Sequence, residues 1–118
     1  MLFCGGSREI LLNQTASLNI MDNDEIFKVL ANPVRRQILH WLKDVPIHFP
    51  DSDYPAEFGA SASQINRRSG LSQSTTSSHL SMLLRADLIS SHKSGTWVFF
   101  KRNEATIRAF LELMERRL

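Results

Sequence analysis

Cysteine is nearly missing from the 118 residues: Cys4 stands alone, so no disulfide can form within the chain, and such usage suits a reducing compartment. No apolar run approaches the roughly 20 residues that cross a bilayer. The first residues lack the basic segment and long apolar stretch of a secretion signal. A cytoplasmic protein without membrane contact is expected. Net charge is small, +2 overall, and by itself does not announce a polyanion as partner. Serine and histidine are plentiful, yet there is no nucleophile elbow, phosphate-binding loop or metalloprotease motif to set them to work. Neither an enzyme nor a cofactor is expected. Internal repeats and low-complexity tracts are also absent.

What is present fits one small domain, with 42% hydrophobic and 22% charged residues. The charge is unevenly placed. Residues 64–118 carry nine Lys/Arg and four acids, a net +5, while residues 1–63 carry five bases and eight acids, a net −3. A basic second half suits a polyanion, although a solvated charged surface would account for it as well.

Residues 1–20 show no clear period, and Gly5–Gly6 weakens any helix there. They read as a tail that is disordered or loosely attached. The domain proper spans 21–118. A helix is expected from about Asp22 to Leu30, with Ile26, Phe27 and Leu30 on one side. Asn32–Pro33 ends it and opens a second helix to about Lys43. Val34, Ile38, Trp41 and Leu42 form its buried stripe. Residues 45–60 hold Pro46, Pro50 and Pro55 and read as a loop, long for so small a domain. Ser61 and Gln64 form the pattern of a capping box for a third helix, with Ala62 and Ile65 inward, that stops at Gly70. Ser72 caps a fourth helix running to about Ala86. Strands are expected over Leu88–His92 and Thr96–Arg102, joined by a turn at Lys93-Ser94-Gly95. Asn103 caps a final helix from Glu104 to Leu118. The fold class is mainly α with a small β-hairpin, a winged helix-turn-helix.

The fourth helix opens Ser72-Gln73-Ser74-Thr75-Thr76-Ser77-Ser78-His79. Hydroxyl side chains compete with the backbone and are indifferent helix formers, so their density has another cause. With Leu80 at the centre of the buried face, Thr76, Leu83 and Leu84 fall within about 60° of it. Ser74, Thr75, Ser78, Ser81, Met82 and Arg85 point elsewhere, and Gln73 sits at the helix start, where its side chain can reach forward into a groove. Short hydroxyls let a helix lie close to phosphates and base edges, and Gln73 can bond an adenine edge in two places. The expected contacts to double-stranded DNA are Gln73, Ser74, Thr75, Ser77, Ser78, His79, Ser81 and Arg85 on the helix, with Lys93, Ser94 and Thr96 at the hairpin tip. A polar helix facing water is the plainer reading; the flanking turn and hairpin favour DNA. His79, at the boundary of the buried face, reads first as a packed, hydrogen-bonded residue, then as a phosphate contact. Arg67 and Arg68 are further phosphate candidates.

Three segments together resemble the ArsR (arsenic-resistance repressor) family: Val29-Leu30-Ala31-Asn32-Pro33-Val34-Arg35-Arg36-Gln37-Ile38-Leu39, Gly70-Leu71-Ser72-Gln73-Ser74-Thr75, and Ser77-Ser78-His79-Leu80 with Leu83. Trp97-Val98-Phe99-Phe100 matches the aromatic second wing strand. The resemblance covers 22–118, interrupted by the 45–60 loop. It implies a dimeric winged helix that represses a promoter until an effector binds. Asp87 stands where glycine commonly ends the recognition helix, and Thr76 and Ser69 replace usual aliphatic residues. The third helix has no Cys-x-Cys pair and the last no histidine, so the family's two usual metal sites are missing.

The last helix carries a stripe of Ile107, Phe110, Leu111, Met114 and Leu118. Packing on its own domain would cover it; the resemblance implies pairing with the first helix, Ile26 and Phe27 included, and with its symmetry mate. A homodimer on an imperfect palindrome follows, with half-sites about 10–10.5 bp apart. In the loop, His48, Asp51, Asp53 and Glu57 could gather a metal, but such residues usually serve turns, and no metal is expected. Cys4 is a weak candidate for oxidant sensing, with Arg8 its one basic neighbour. The competing reading is a winged helix that has lost DNA and contacts protein instead.

Overall fold

A computed structural model describes residues 20–118, with side chains from Asn23 onward. The expected tail, apart from Ile20, lies outside the described residues, as do Cys4 and Arg8. Helix α1 (Ile20–Leu30) is followed by α2 (Pro33–Lys43). Asn32 makes the break: its Oδ1 accepts from Val34 N at 2.8 Å and Arg35 N at 3.4 Å, while Pro33 fills a first-turn position that needs no N–H. Ile26 and Val29 of α1 are buried, whereas Phe27 is 47% exposed, so Val29 takes the inward place that the sequence assigns to Phe27. On α2, Ile38, Leu39 and Leu42 enter the core, with Val34 and Trp41 at its margin.

The 45–60 segment is more ordered than a loop. It contains the short helix α3 (Val45–His48), a 3-10 turn at Ala56–Phe58 and strand β1 (Ala60–Ser61). β1 pairs antiparallel with β3 (Trp97–Arg102), which pairs with β2 (Ile89–Ser94), so the expected two-stranded hairpin is a three-stranded sheet of order β1-β3-β2. Gly59 permits this third strand. Its φ is 89°, and a Cβ there would stand 1.9 Å from the carbonyl oxygen of Phe100.

The sheet is packed on both faces. Phe100, Ile89 and Leu88 join the central core with Leu80, Leu83, Ile65 and Ile38. On the opposite face, Phe99 is fully buried beneath the loop, with Tyr54 edge-on at 4.8 Å, Phe58 at 5.3 Å and His92 stacked at 5.6 Å between ring centres. The loop is therefore a lid of aromatic rings over the back of the sheet.

Helix α4 (Ala62–Ser69) begins with the expected capping box: Gln64 N donates to Ser61 Oγ at 3.1 Å and Ser61 N to Gln64 Oε1 at 2.8 Å. It ends at Gly70 in the left-handed conformation. Helix α5 (Gln73–Arg85) follows, capped by Ser72 Oγ, which accepts from Thr75 N at 3.2 Å. Asp87 N donates to Leu84 O at 2.9 Å and Leu88 N to Leu83 O at 3.0 Å, the paired bonds of a Schellman stop. The hairpin turn is shifted by one residue from the expected position. Ser94 pairs with Trp97, leaving Gly95-Thr96 as a two-residue turn with φ 64° at Gly95, as a type II′ turn requires. Lys93 and Ser94 thus belong to β2. Helix α6 (Glu104–Arg117) closes the chain, capped by Asn103, whose Oδ1 accepts from Thr106 N at 3.3 Å.

Candidate nucleic-acid interface

Two polar links fix how α5 is presented. Between α4 and α5, Asn66 Nδ2 donates to Thr76 Oγ1 at 2.9 Å and to Leu71 O at 3.0 Å. Ser69 Oγ lies 3.3 Å from Thr76 Oγ1 and donates to Asn66 O at 2.8 Å. The polar substitutions at 69 and 76 are thus partners, closing the turn by hydrogen bonds where aliphatic residues would pack. The second link comes from α2. Arg35 Nε donates to His79 Nδ1 at 3.2 Å, while Arg35 Nη1 donates to Val29 O at 3.3 Å. Arg36 Nη1 donates to Leu30 O at 2.7 Å. The two arginines supply donors to carbonyls at the C-terminus of α1, and Arg35 ties that end to the middle of α5.

His79 is accordingly a packed, hydrogen-bonded residue. Burial, with the neighbouring Arg35 charge adding to it, pushes its imidazole below the ordinary histidine value. It is neutral near pH 7 and accepts through Nδ1, which leaves Nε2 as the protonated nitrogen.

Around those anchors α5 is two-sided. Thr76, Leu80 and Leu83 are buried. Gln73, Ser74, Thr75, Ser77, Ser78, Ser81 and Arg85 are all exposed, and His79 is intermediate. The hydroxyl face is not packed into its own domain. Some of its density has a local cause: Ser72 Oγ donates to Thr75 Oγ1 at 2.8 Å and lies 3.4 Å from Ser74 Oγ, so these hydroxyls also serve the cap. The first turn of α5 has no acidic residue, which leaves the positive end of the helix dipole unopposed by a side chain.

The wing stands beside this face. Lys93, Thr96 and Trp97 are exposed and Ser94 is intermediate. A groove of about 450 Å³ runs between α4, α5 and the wing, lined by Gln73, Ser77, Thr96 and Trp97 among others. Trp97, 46% exposed, was not among the sequence-derived contacts. Its signal was the period of two along β3, which puts Trp97 on the face of Phe99 and away from Val98 and Phe100. Arg67 and Arg68 project from α4 toward the loop. Arg68 packs over the Trp41 ring at 5.1 Å, and its Nη2 lies 3.5 Å from His48 Nδ1.

The residues expected at a dimer interface divide. Ile26 and Phe110 are buried within the chain itself and offer little surface to a second protomer. Phe110 meets Phe27 edge-on, with ring centres 5.5 Å apart. Leu111 is 58% exposed and Leu118 is fully exposed, and Ile107 and Met114 pack partly on the core. Phe27 and Leu111 thus leave an uncovered apolar strip along α1 and α6. Among the described residues no three of His, Cys, Asp and Glu converge as metal ligands, and no helix is long and apolar enough to cross a membrane.

Residues 59–91, from β1 through α5 into β2, match the family model described as bacterial regulatory protein, arsR family. The HTH-type transcriptional regulator YbzH of Bacillus subtilis strain 168 is 37% identical over 97 residues, covering 80% of this chain and 97% of the relative. The transcriptional activator HlyU of Vibrio cholerae is 31% identical over 91 residues, 77% of this chain and 72% of the relative. The transcriptional repressor SdpR of Bacillus subtilis is 25% identical over 91 residues, 77% and 87% respectively. Among solved structures, the ArsR family transcriptional regulator RHA00566 superposes with a TM-score of 0.65 at 18% identity, covering 84% of this chain and 89% of that one. HlyU from Vibrio cholerae N16961 superposes at 0.58 with 28% identity, covering 81% and 90%.

Proposed function

Because the chain belongs to the arsR family of bacterial regulatory proteins, we propose that this DNA-binding transcriptional regulator works as a homodimer, setting one α5 from each protomer into successive major grooves of an imperfect palindrome. The observation that carries the reading is the two-sided α5, with Thr76, Leu80 and Leu83 buried and a continuous exposed face from Gln73 to Arg85. A helix of this kind fits the major groove, where Gln73 and Ser78 can read base edges. Lys93 and Thr96 on the wing, with Arg85, would meet phosphates, and the N-terminus of α5 would meet another.

The strip of Phe27 and Leu111 is the natural seat for the second protomer, since burying it would raise the low fraction of surface that a chain of this size can cover alone. Repression is the favoured sense of control: a dimer lying across a promoter excludes other proteins by occupancy and needs no further contact surface. SdpR is a repressor and HlyU an activator, so relatives use both senses. The reading places the protein in the cytoplasm, with the DNA it regulates.

A band shift with the DNA flanking its own gene tests this. Specific binding that weakens steeply with salt is expected. Gln73→Ala with Ser78→Ala should weaken specific binding more than nonspecific binding, whereas Lys93→Ala should lower the salt slope by about 1 and affect all sequences alike. Robust capture of a protein partner with no shift of any DNA would favour a protein-interaction module instead. A monomeric mass by sedimentation at micromolar concentration would overturn the dimer.

A further inference from the structure

A second hollow lies behind the wing. It is a cleft of about 580 Å³ between the 48–54 stretch of the loop and helix α4, with Trp97 also in its wall. That volume is within the usual range for a small-molecule site. Its walls differ in charge. Arg67 and Arg68 line the α4 side, and Asp51 and Asp53 line the loop side. Among the described residues neither arginine forms an ion pair, the single such pair being Arg102–Glu104. Arg67 Nη2 reaches only Ser63 Oγ, at 3.5 Å. Exposed ring surface is supplied by Trp97 and Tyr54.

We propose that this cleft binds a small aromatic zwitterion, with its carboxylate on Arg67 and Arg68, its ammonium on Asp51 and Asp53, and its ring against Trp97. Guanidinium groups match a carboxylate through paired N–H donors and also stack on rings, and carboxylates across the cleft complete the match to an opposite charge. The ligand's two charges would meet groups that, among the described residues, form no ion pair on either wall, Arg68 keeping its stacking on Trp41.

The site also has a route to DNA. Trp97 and Ser63 line both this cleft and the groove beside Gln73 and Ser77. A ligand ring seated on one face of Trp97 changes where that indole sits, and with it the wall of the DNA-facing groove next to the Gly95-Thr96 turn. The cleft is thus an effector site, a role that rests on the regulator reading above, although binding itself does not.

Calorimetry on the full chain without DNA, using L-phenylalanine and L-tryptophan as probes, tests the site. Saturable binding is expected, with benzoate and 2-phenylethylamine, which carry one charge each, at least about tenfold weaker. Asp53→Asn and Arg67→Gln, both at exposed positions, should each cost a similar factor while circular dichroism and melting stay unchanged. If a variant fails to fold, the single-charge probes on the native chain still decide. L-phenylalanine should move the Trp97 indole N–H signal in NMR, identified by its loss in Trp97→Phe. Absence of binding by both amino acids, or equal binding by the single-charge probes, overturns the proposal. For coupling, L-phenylalanine should change the DNA affinity of the native chain several-fold and leave Arg67→Gln unchanged; an unaltered affinity with ligand bound overturns the route through Trp97. If no DNA is shifted under any condition, the regulator reading fails while calorimetry still judges the cleft.

Discussion

Asp87 Oδ2 accepts a hydrogen bond from Thr106 Oγ1 at 3.0 Å, joining the end of α5 to the first turn of α6. Asp87 is also the only non-glycine residue with positive φ, 63°, among those described. The left-handed conformation costs an L-residue roughly 1 kcal/mol relative to glycine, and a net hydrogen bond returns about the same. Asp87→Gly should therefore leave stability within about 1 kcal/mol of the parent, while Asp87→Ala, which keeps the strain and loses the acceptor, should destabilise by about 1–2 kcal/mol. Urea unfolding of both, with Thr106→Val in each background, checks this. Thr106→Val should matter when Asp87 is present and be nearly silent after Asp87→Gly; equal effects in both would remove the link.

The pairing of Thr76 with Asn66 and Ser69 leads to a counter-intuitive expectation. Replacing a buried threonine by the aliphatic residue common in the family should stabilise if apolar packing ruled this position. Here Thr76→Val strips the acceptor from Asn66 Nδ2 and the neighbour from Ser69 Oγ. A loss of about 1–2 kcal/mol is expected, because a polar group left behind keeps its desolvation cost. Combining it with Ser69→Ala should cost less than the sum of the two single changes. Strict additivity by chemical denaturation would show that the hydroxyls do not act as a unit.

Gly59 and Gly70 both have positive φ, yet they should respond differently to alanine. At Gly70 a Cβ meets nothing within 4 Å, so Gly70→Ala carries backbone strain alone, about 1 kcal/mol. At Gly59 the Cβ would collide with the backbone of β3 as well. Gly59→Ala should cost about 3 kcal/mol or more, beyond what strain alone explains, and should release the β1 pairing. Amide exchange at Phe100 and thermal melting would register it. Similar losses at both glycines would contradict the close approach.

Local chemistry was the most legible part of the sequence. Asn32, Ser61 with Gln64, Ser72 and Asn103 each cap the helix assigned to them, because a cap is written in residues two or three apart. Most of the exposed side of α5 followed in the same way from a 100° step, Gln73 and Ser77 excepted. What escaped were features that depend on distant partners. Three prolines made residues 45–60 look like an open loop, but Phe58 and Tyr54 find Phe99 some forty residues away and fold the segment down as a lid. The roles of Arg35 and Asp87 were hidden for the same reason: one reaches His79 and the other Thr106. The resemblance placed Ile26 at an interface, and packing shows it enclosed by its own domain.

The Arg35–His79 bond carries a pH dependence whose sign follows from the lowered histidine. In the unfolded chain His79 titrates near 6.5, while in the folded chain its burial, and then the Arg35 charge, hold it lower. Between those two values the unfolded state binds more protons, so folding stability rises with pH there. The contribution is complete above the unfolded value and falls away as pH drops below it toward the folded one. Protonation also removes the Nδ1 lone pair that Arg35 Nε uses, setting two cations against each other on the link between α2 and α5. The parent should lose stability more steeply than His79→Gln as pH falls from about 7 to 5. Arg35→Gln should shrink the same difference by lifting one of the two causes. Urea unfolding at half-unit pH steps measures both, with the ring signals of His79 followed by NMR. A His79 that titrates at or above the ordinary value in the folded chain would mean that Arg35 does not hold the neutral ring, and the presentation of α5 would have to rest on the Asn66–Thr76 contact alone.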